Sequence, residues 1–171
     1  MMPPITLTKS EIAFCRMLGN MRTMMNREAD IKDVQLMGMD ADEIGVIGEY
    51  AFCKLNNIFF NPTVQPRSGS YDFVFRGLRF DMKTTARLDG KLLATLKINK
   101  DVDVFSLAIL DKQTVSFPGS YWARDMYRPE NLNDLGHGPT YVIPQSKLLK
   151  WKTNEKGENH SKGQGGHFSI A

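Results

Sequence analysis

The sequence predicts an α/β sandwich: a central mixed β-sheet flanked by helices, with an added N-terminal helix. Three observations predict it. Two stretches of helical apolar periodicity precede residue 58, short alternating runs broken by turn formers follow, and DVFSLAIL is apolar enough to be an interior strand covered on both faces. The 171 residues, 42% apolar and 24% charged, suffice for a buried core without disulfides and exclude disorder or a fibrous repeat. No apolar run nears the roughly 20 residues that cross a bilayer. The opening MMPPITLTKSE also lacks the basic-then-apolar order of a signal peptide, so a cytoplasmic protein without a membrane partner is expected. Three regions follow from the patterning: a helical extension over 1–38, a core over 39–151, and a glycine-rich, flexible or edge-pairing tail over 152–171.

The first helix opens at Thr8-Lys9-Ser10-Glu11, a capping box in which the Thr8 hydroxyl accepts from a backbone N–H while Glu11 reaches back. Phe14, Met17, Leu18, Met21, Met24 and Met25 recur at three- and four-residue steps, predicting a methionine-rich face that packs into the core. That face is also the one candidate for a homodimer contact. Arg16, Arg22 and Arg27 fall off it, available to phosphates or simply solvated. Cys15 and Cys53 have no zinc or disulfide spacing and read as small buried hydrophobes.

A polar stretch and Gly38 lead to a second helix, about 41–57, with a buried stripe of Ile44, Ile47, Ala51, Leu55 and Ile58. Glu49 shares its side with Gly45, Phe52, Cys53 and Asn56, against apolar neighbours, whereas Glu43 lies nearer Tyr50 and Lys54 and reads as solvated. Next come FFNPTVQ as a first extended run and the loop Pro66 to Ser70. YDFVF and LRFDMKTT follow, separated by Arg76-Gly77 in the pattern of a tight hairpin. Past the interior strand, Gly119 to Met126 suggests a short helix, Tyr141-Val142-Ile143 a strand, and Gln145 to Trp151 another short helix.

The chemistry concentrates on the hairpin. Strand alternation puts Leu78, Phe80, Met82 and Thr84 on one face and Arg79, Asp81, Lys83 and Thr85 on the other, with Asp81 and Lys83 about 7 Å apart along the strand. Asp72 begins the partner strand. Hard carboxylate oxygens bind Mg²⁺ or Mn²⁺ and leave positions for water and a phosphate oxygen, the requirement of phosphodiester hydrolysis. Lys83 can offset charge developing on the phosphoryl group, and Glu49 can complete the ion's shell. An Asp-x-Lys alone is commonly a solvated ion pair. Its order after an acid on an apolar helix and an Asp opening a strand is what lifts it.

These residues resemble a known family. GEYAFCKL, SYDFVF and LRFDMKTT look like successive motifs of the PD-(D/E)XK nucleases, the restriction-endonuclease-like superfamily, over residues 41 to 110, and YVIPQSKLL is similar to the closing segment of some small stand-alone members. The resemblance implies an αβββαβ core, an Mg²⁺ or Mn²⁺ site, DNA as the usual substrate with RNA second, and by analogy a bacteriophage source acting in the host cytoplasm. It also implies endonuclease members that cut both strands as homodimers. Position by position, Glu49 matches the helical acid, Asp72 the acid of the second core strand, Asp81 the acid of the D/E-x-K element and Lys83 its lysine. Glu49, Asp72 and Asp81 would hold the metal. Tyr71 stands where the nominal proline would precede Asp72, and only Thr84 and Thr85 represent the downstream polar positions.

The net charge of +3 permits contact with a polyanion without establishing it. Arg67, Arg79, Arg87, Lys91, Lys97 and Lys100 surround the site in sequence and are the candidates to track a phosphate backbone. His137, His160 and His167 lack zinc-ligand pairing, Ser68 and Ser70 lack a nucleophile elbow, and Gly163 to Gly166 is not a phosphate loop, so no nucleotide cofactor is expected. The rival reading is a catalytically silent nuclease-fold module that binds nucleic acid or serves assembly.

Overall fold

The computed structural model describes residues 2–28, 35–36, 39–64, 71–136, 138–153 and 168–170. In chain order its elements are β1 (Ile5–Thr6), α1 (Lys9–Glu28), β2 (Gln35–Leu36), β3 (Met39–Asp40), α2 (Ala41–Asn56), β4 (Phe73–Phe75), β5 (Leu78–Thr85) and β6 (Leu92–Ala94). There follow β7 (Val104–Asp111), β8 (Thr114–Trp122), α3 (Ala123–Met126), β9 (Leu132–Asp134), β10 (Pro139–Ile143), β11 (Trp151–Thr153) and β12 (Phe168–Ile170). A five-stranded mixed sheet, ordered β1-β8-β7-β5-β4, forms the centre; β5 and β7 run parallel and the other pairs antiparallel.

Alternation gives the sheet two apolar faces. Phe80, Met82, Val104, Ala108 and Phe117 point to α2, whose Val46, Ile47, Ala51 and Phe52 are fully buried against them, and α1 lies behind α2. Phe105, Leu107 and Ile109 point the other way, into a second cluster with Leu92, Ala94, Met126 and Ile143. Helices therefore cover one face. The other is covered by a small antiparallel sheet, β6-β10-β9, and the single turn of α3, where two helical layers were expected.

The Arg76-Gly77 turn forms as expected. Both residues have positive φ, 54° and 78°, the backbone of a two-residue turn whose twist matches the flanking strands, and Phe75 sits opposite Leu78. The interior strand is also found, as β7 between β5 and β8.

Four expectations are corrected. The αβββαβ order requires a helix between its last two strands, but the chain crosses from β5 to parallel β7 through β6 and turns, because Leu92, Leu93 and Ala94 alternate buried, exposed, buried around turn-forming Gly90 and Asn99. Gly119 to Trp122 belongs to β8, and helix begins only at Ala123. FFNPTVQ has no regular structure over its described residues 59–64, where Pro62 interrupts any ladder. Gln145–Lys147 is one 3₁₀ turn, and Trp151 starts β11. Phe168–Ile170 pairs antiparallel with Trp151–Thr153, and residues 154–167 between them lie outside the described residues.

The methionine face is corrected as well. Met17 is 54% and Met24 61% exposed, and Phe14 and Met21 are exposed beside them. The buried face of α1 is instead Ile12, Cys15, Leu18, Gly19, Thr23 and Asn26. Gly19 explains the inversion: a Cβ there would stand 2.4 Å from the Glu43 Cα, so the two helices meet at backbone distance and only small residues fit between them. Cys15 and Cys53 are buried and unpaired, as expected.

Candidate metal centre at the end of the hairpin

β5 is eight residues long and β4 three, so β5 outruns its partner. The last backbone bond between them runs from the Asp72 N–H to the Phe80 carbonyl, 2.7 Å. The next N–H along that edge, on Met82, donates to the Asp72 carboxylate at 2.6 Å. The Asp72 side chain thus continues the ladder in place of a backbone carbonyl, which pins it where the two strands part. Beyond it, Asp81 and Lys83 share the face away from α2, as the alternation of β5 requires, and Lys83 Nζ lies 2.6 Å from Asp81 Oδ1.

Glu49 reaches this edge from the opposite face. Its helix is set against β5 at Gly48, where a Cβ would come within 2.0 Å of the Thr84 Oγ1 and 3.0 Å of both Thr84 carbons. Glu49, the next residue, is consequently buried beside the strand edge, while Glu43 sits half-buried near Gly19. Four charged side chains, from α2, from the residue just before β4 and from β5, therefore act on one another. Burial raises the Glu49 pKa, and Asp81 raises it further against the pull of Arg22 and Lys83. Burial, then Glu49, then Asp81 hold the Asp72 carboxyl well above the usual range, opposed by the Met82 N–H and Lys83. For Lys83 burial works against the ammonium, yet Asp81, Asp72 and Glu49 together outweigh it and raise its pKa.

A residue of the N-terminal extension joins them. Arg22 Nη1 donates to both carboxylate oxygens of Glu49, at 3.0 and 2.9 Å. The sequence left Arg22 as one of three arginines off the methionine stripe. A sharper signal was present, since Cys15, Gly19, Arg22 and Asn26 recur at helical steps and mark the small-residue face that meets α2. Thr23 and Asn26 fasten the same turn of α1 by donating to buried Asp42 at 3.2 and 2.9 Å.

The donor set suits a hard divalent ion in its chemistry: three carboxylates, all oxygen ligands, with Glu49 and Asp72 raised in pKa by burial and by neighbouring carboxylates, so that a cation among them is favoured. Their present partners are protein cations and an N–H. Among the described residues no three His, Cys, Asp or Glu side chains stand close enough to hold an ion as they lie. Glu49 faces Arg22, Asp81 faces Lys83, and Asp72 faces Met82.

The candidate phosphate-tracking residues divide. Arg79 is committed to structure: its Nε and Nη2 grip Asp103 at 3.0 and 2.9 Å, and its backbone N–H donates to the same carboxylate, which lowers the Asp103 pKa. Arg87, Lys91, Lys97 and Lys100 are exposed on the crossing between β5 and β7, Arg87 in a 3.4 Å contact with Asp89. Arg67 and the three histidines lie outside the described residues. Thr84 Oγ1 is buried without a hydrogen-bond partner among the described residues, whereas the Thr85 hydroxyl accepts from the Arg87 N–H.

No family model, curated protein or solved structure matches the chain. No helix among the described residues is long and apolar enough to cross a membrane.

Proposed function

We propose that the protein is a divalent-metal-dependent nuclease that hydrolyses phosphodiester bonds of DNA. The observation that carries this reading is that Glu49 of α2, Asp72 just before β4, and Asp81 and Lys83 of β5 act on one another's charges. A structural ion pair has no need of three carboxylates close enough to act on one another against the cost of burial. Mg²⁺ or Mn²⁺ held by Asp72, Asp81 and Glu49 would supply Lewis-acid polarisation of the phosphoryl group and a lowered pKa for the attacking water.

The chain's own groups do the rest. The Met82 N–H fixes the Asp72 carboxylate at the fork, and the packing of Gly48 on Thr84 fixes Glu49 beside it. Lys83, 41% exposed and raised in pKa, keeps its proton at neutral pH, so Nζ acts as a cation toward the phosphoryl oxygens and not as a general base. The exposed Arg87, Lys91, Lys97 and Lys100 offer phosphate contacts on the crossing that leaves β5.

A second reading, the silent binding or assembly module, has one observation in its favour: Arg22 and Lys83 already neutralise two of the three carboxylates. The two readings separate in one assay. Single-stranded, double-stranded and branched DNA and RNA are incubated with the protein and Mg²⁺ or Mn²⁺, alongside Asp81→Ala and Lys83→Ala. The nuclease reading expects cleavage that EDTA abolishes and that each substitution lowers at least about a hundredfold. Cleavage indifferent to EDTA and to both substitutions sinks this mechanism, and DNA binding without cleavage under either metal gives the module reading.

A further inference from the structure

We infer that Arg22 is a substrate-phosphate-binding residue of the site, parked on Glu49 when no nucleic acid is bound. This inference rests on the reading of the site as one that meets nucleic-acid phosphate, and it assigns the N-terminal helix a role beyond its packing on α2.

The contact has the features of an exchangeable one. Nη1 alone bridges both Glu49 oxygens, where the strong arginine–carboxylate pairing uses two nitrogens in parallel. Nε and Nη2 of Arg22 make no hydrogen bond among the described residues, so the guanidinium retains donors for a second oxyanion. Its side chain is 22% exposed while that of Glu49 is 11%, so the arginine is the partner that solvent, and a ligand, can reach. A phosphate presents the same oxygen geometry as a carboxylate, and arginine grips both.

The surroundings restrict what moves. Gly19 seats α1 on the α2 backbone, and Thr23 and Asn26 tie the adjoining turn to Asp42, so the backbone at Arg22 is held and the exchange is a rotation of the side chain. Arg22 leaving Glu49 for a phosphate uncovers a carboxylate that otherwise carries a counter-ion. The arriving polyanion is thereby gripped by Arg22 on the α1 side and by Lys83 on the β5 side. Glu49 and phosphate compete for one guanidinium, and the competition gives the test.

Binding of a nuclease-resistant phosphorothioate DNA is measured in EDTA across a salt series for wild type, Arg22→Gln, Arg22→Lys, Glu49→Gln and the Arg22→Gln/Glu49→Gln pair, with thermal melts to confirm folding. Arg22→Gln should weaken binding several-fold for every DNA sequence and reduce the slope of log affinity against log salt by about one. Arg22→Lys should restore the slope. Glu49→Gln, which removes the competitor, should tighten binding, and the double variant should lose that gain. Unchanged slope in Arg22→Gln, or a Glu49→Gln gain that survives without Arg22, overturns the inference. So does failure of the wild type to bind the DNA. Should Arg22→Gln not fold, Glu49→Gln is compared with Asp72→Asn, which removes the same charge from the site without releasing a cation: a larger gain at Glu49 supports the exchange, and an equal or smaller one refutes it. No metal or hydrolysis enters this measurement, so a protein that binds as expected yet never cleaves upholds Arg22 and removes the nuclease reading, while one that cleaves with no Arg22 effect does the reverse.

Discussion

A single methyl group at position 48 would push α2 off the strand that carries Asp81 and Lys83. The Cβ of Gly48→Ala would meet Thr84 Oγ1 at 2.0 Å and both Thr84 carbons at 3.0 Å, so rotating the threonine does not clear it. The expected loss is about 2 kcal/mol of stability, the usual cost of overpacking, together with activity, since Glu49 moves with the helix. Gly45 is the control: a Cβ there meets only Glu49 Oε1, at 4.0 Å, so Gly45→Ala should stabilise by about 0.5–1 kcal/mol through helix propensity. Urea unfolding of the two variants checks both signs. At the same scale, burial pushes each of the Cys15 and Cys53 thiols up to about 12. Neither should react with an aromatic disulfide reagent at pH 8 until denaturant is added, and immediate labelling of the native protein would contradict their burial. Sequence pattern reached Asp81, Lys83 and the buried side of Glu49 because alternation and helix phase are local properties. It could not reach Arg22 on Glu49 or Thr84 under Gly48, because those pairs join residues 27 and 36 positions apart through packing that no window of sequence contains.

Among the elements, α1 shows both the reach and the limit of pattern. Its capping box was legible, and it forms as read: the Thr8 N–H donates to Glu11 Oε2 at 2.8 Å and the Glu11 N–H to Thr8 Oγ1 at 3.2 Å. What the pattern did not contain is that Glu11 also binds α2, accepting from Tyr50 at 2.9 Å and Lys54 at 2.6 Å. The Lys54 ammonium first, then the Thr8 N–H, lower the Glu11 carboxyl from 4.5 to about 2. A depressed carboxyl favours folding above its ordinary value and loses that contribution as pH falls toward the depressed one. Stability should therefore decline between about pH 5 and pH 2 by about 1 kcal/mol from this group after allowance for solvent screening. Glu11→Gln should flatten that part of a melting-temperature profile, and an unchanged acid limb would show that the carboxylate contributes nothing. Periodicity also identified which α1 residues share a face without revealing which face the protein covers. Because the helices touch at Gly19, the large methionines are left outside, and Met17→Lys or Met24→Lys should cost under about 0.5 kcal/mol. β8 was hidden for a related reason. Its Phe117 and Pro118 lie in the register break opposite Ala108, a bulge that tolerates a proline without an N–H and interrupts the alternation a strand would show.

For the molecule as a whole, the site is placed at a cost to stability. Asp81 disfavours the charge of Glu49, and Glu49 and Asp81 that of Asp72, at a partly water-excluded edge, and Arg22, Lys83 and one N–H oppose this. Folding alone would favour fewer charges at such an edge, which is the cost that the proposed metal site would explain. Asp72→Asn tests the point. The amide keeps an oxygen to accept from the Met82 N–H but removes one of the three mutually repelling charges. In metal-free buffer at neutral pH the variant should be more stable than wild type by about 1 kcal/mol, a rise of roughly 2–4 °C in Tm for a chain of this length. Mg²⁺ or Mn²⁺ in the millimolar range should raise the Tm of the wild type, since a ligand that binds only the folded state stabilises it by mass action. The same ion should raise that of Asp72→Asn far less, and the two curves should converge as metal is added. Calorimetric scans with and without EDTA provide the comparison. A variant less stable than wild type in EDTA would mean that Asp72 serves the fold and not a site, and equal metal-induced shifts in both proteins would remove Asp72 from any metal centre.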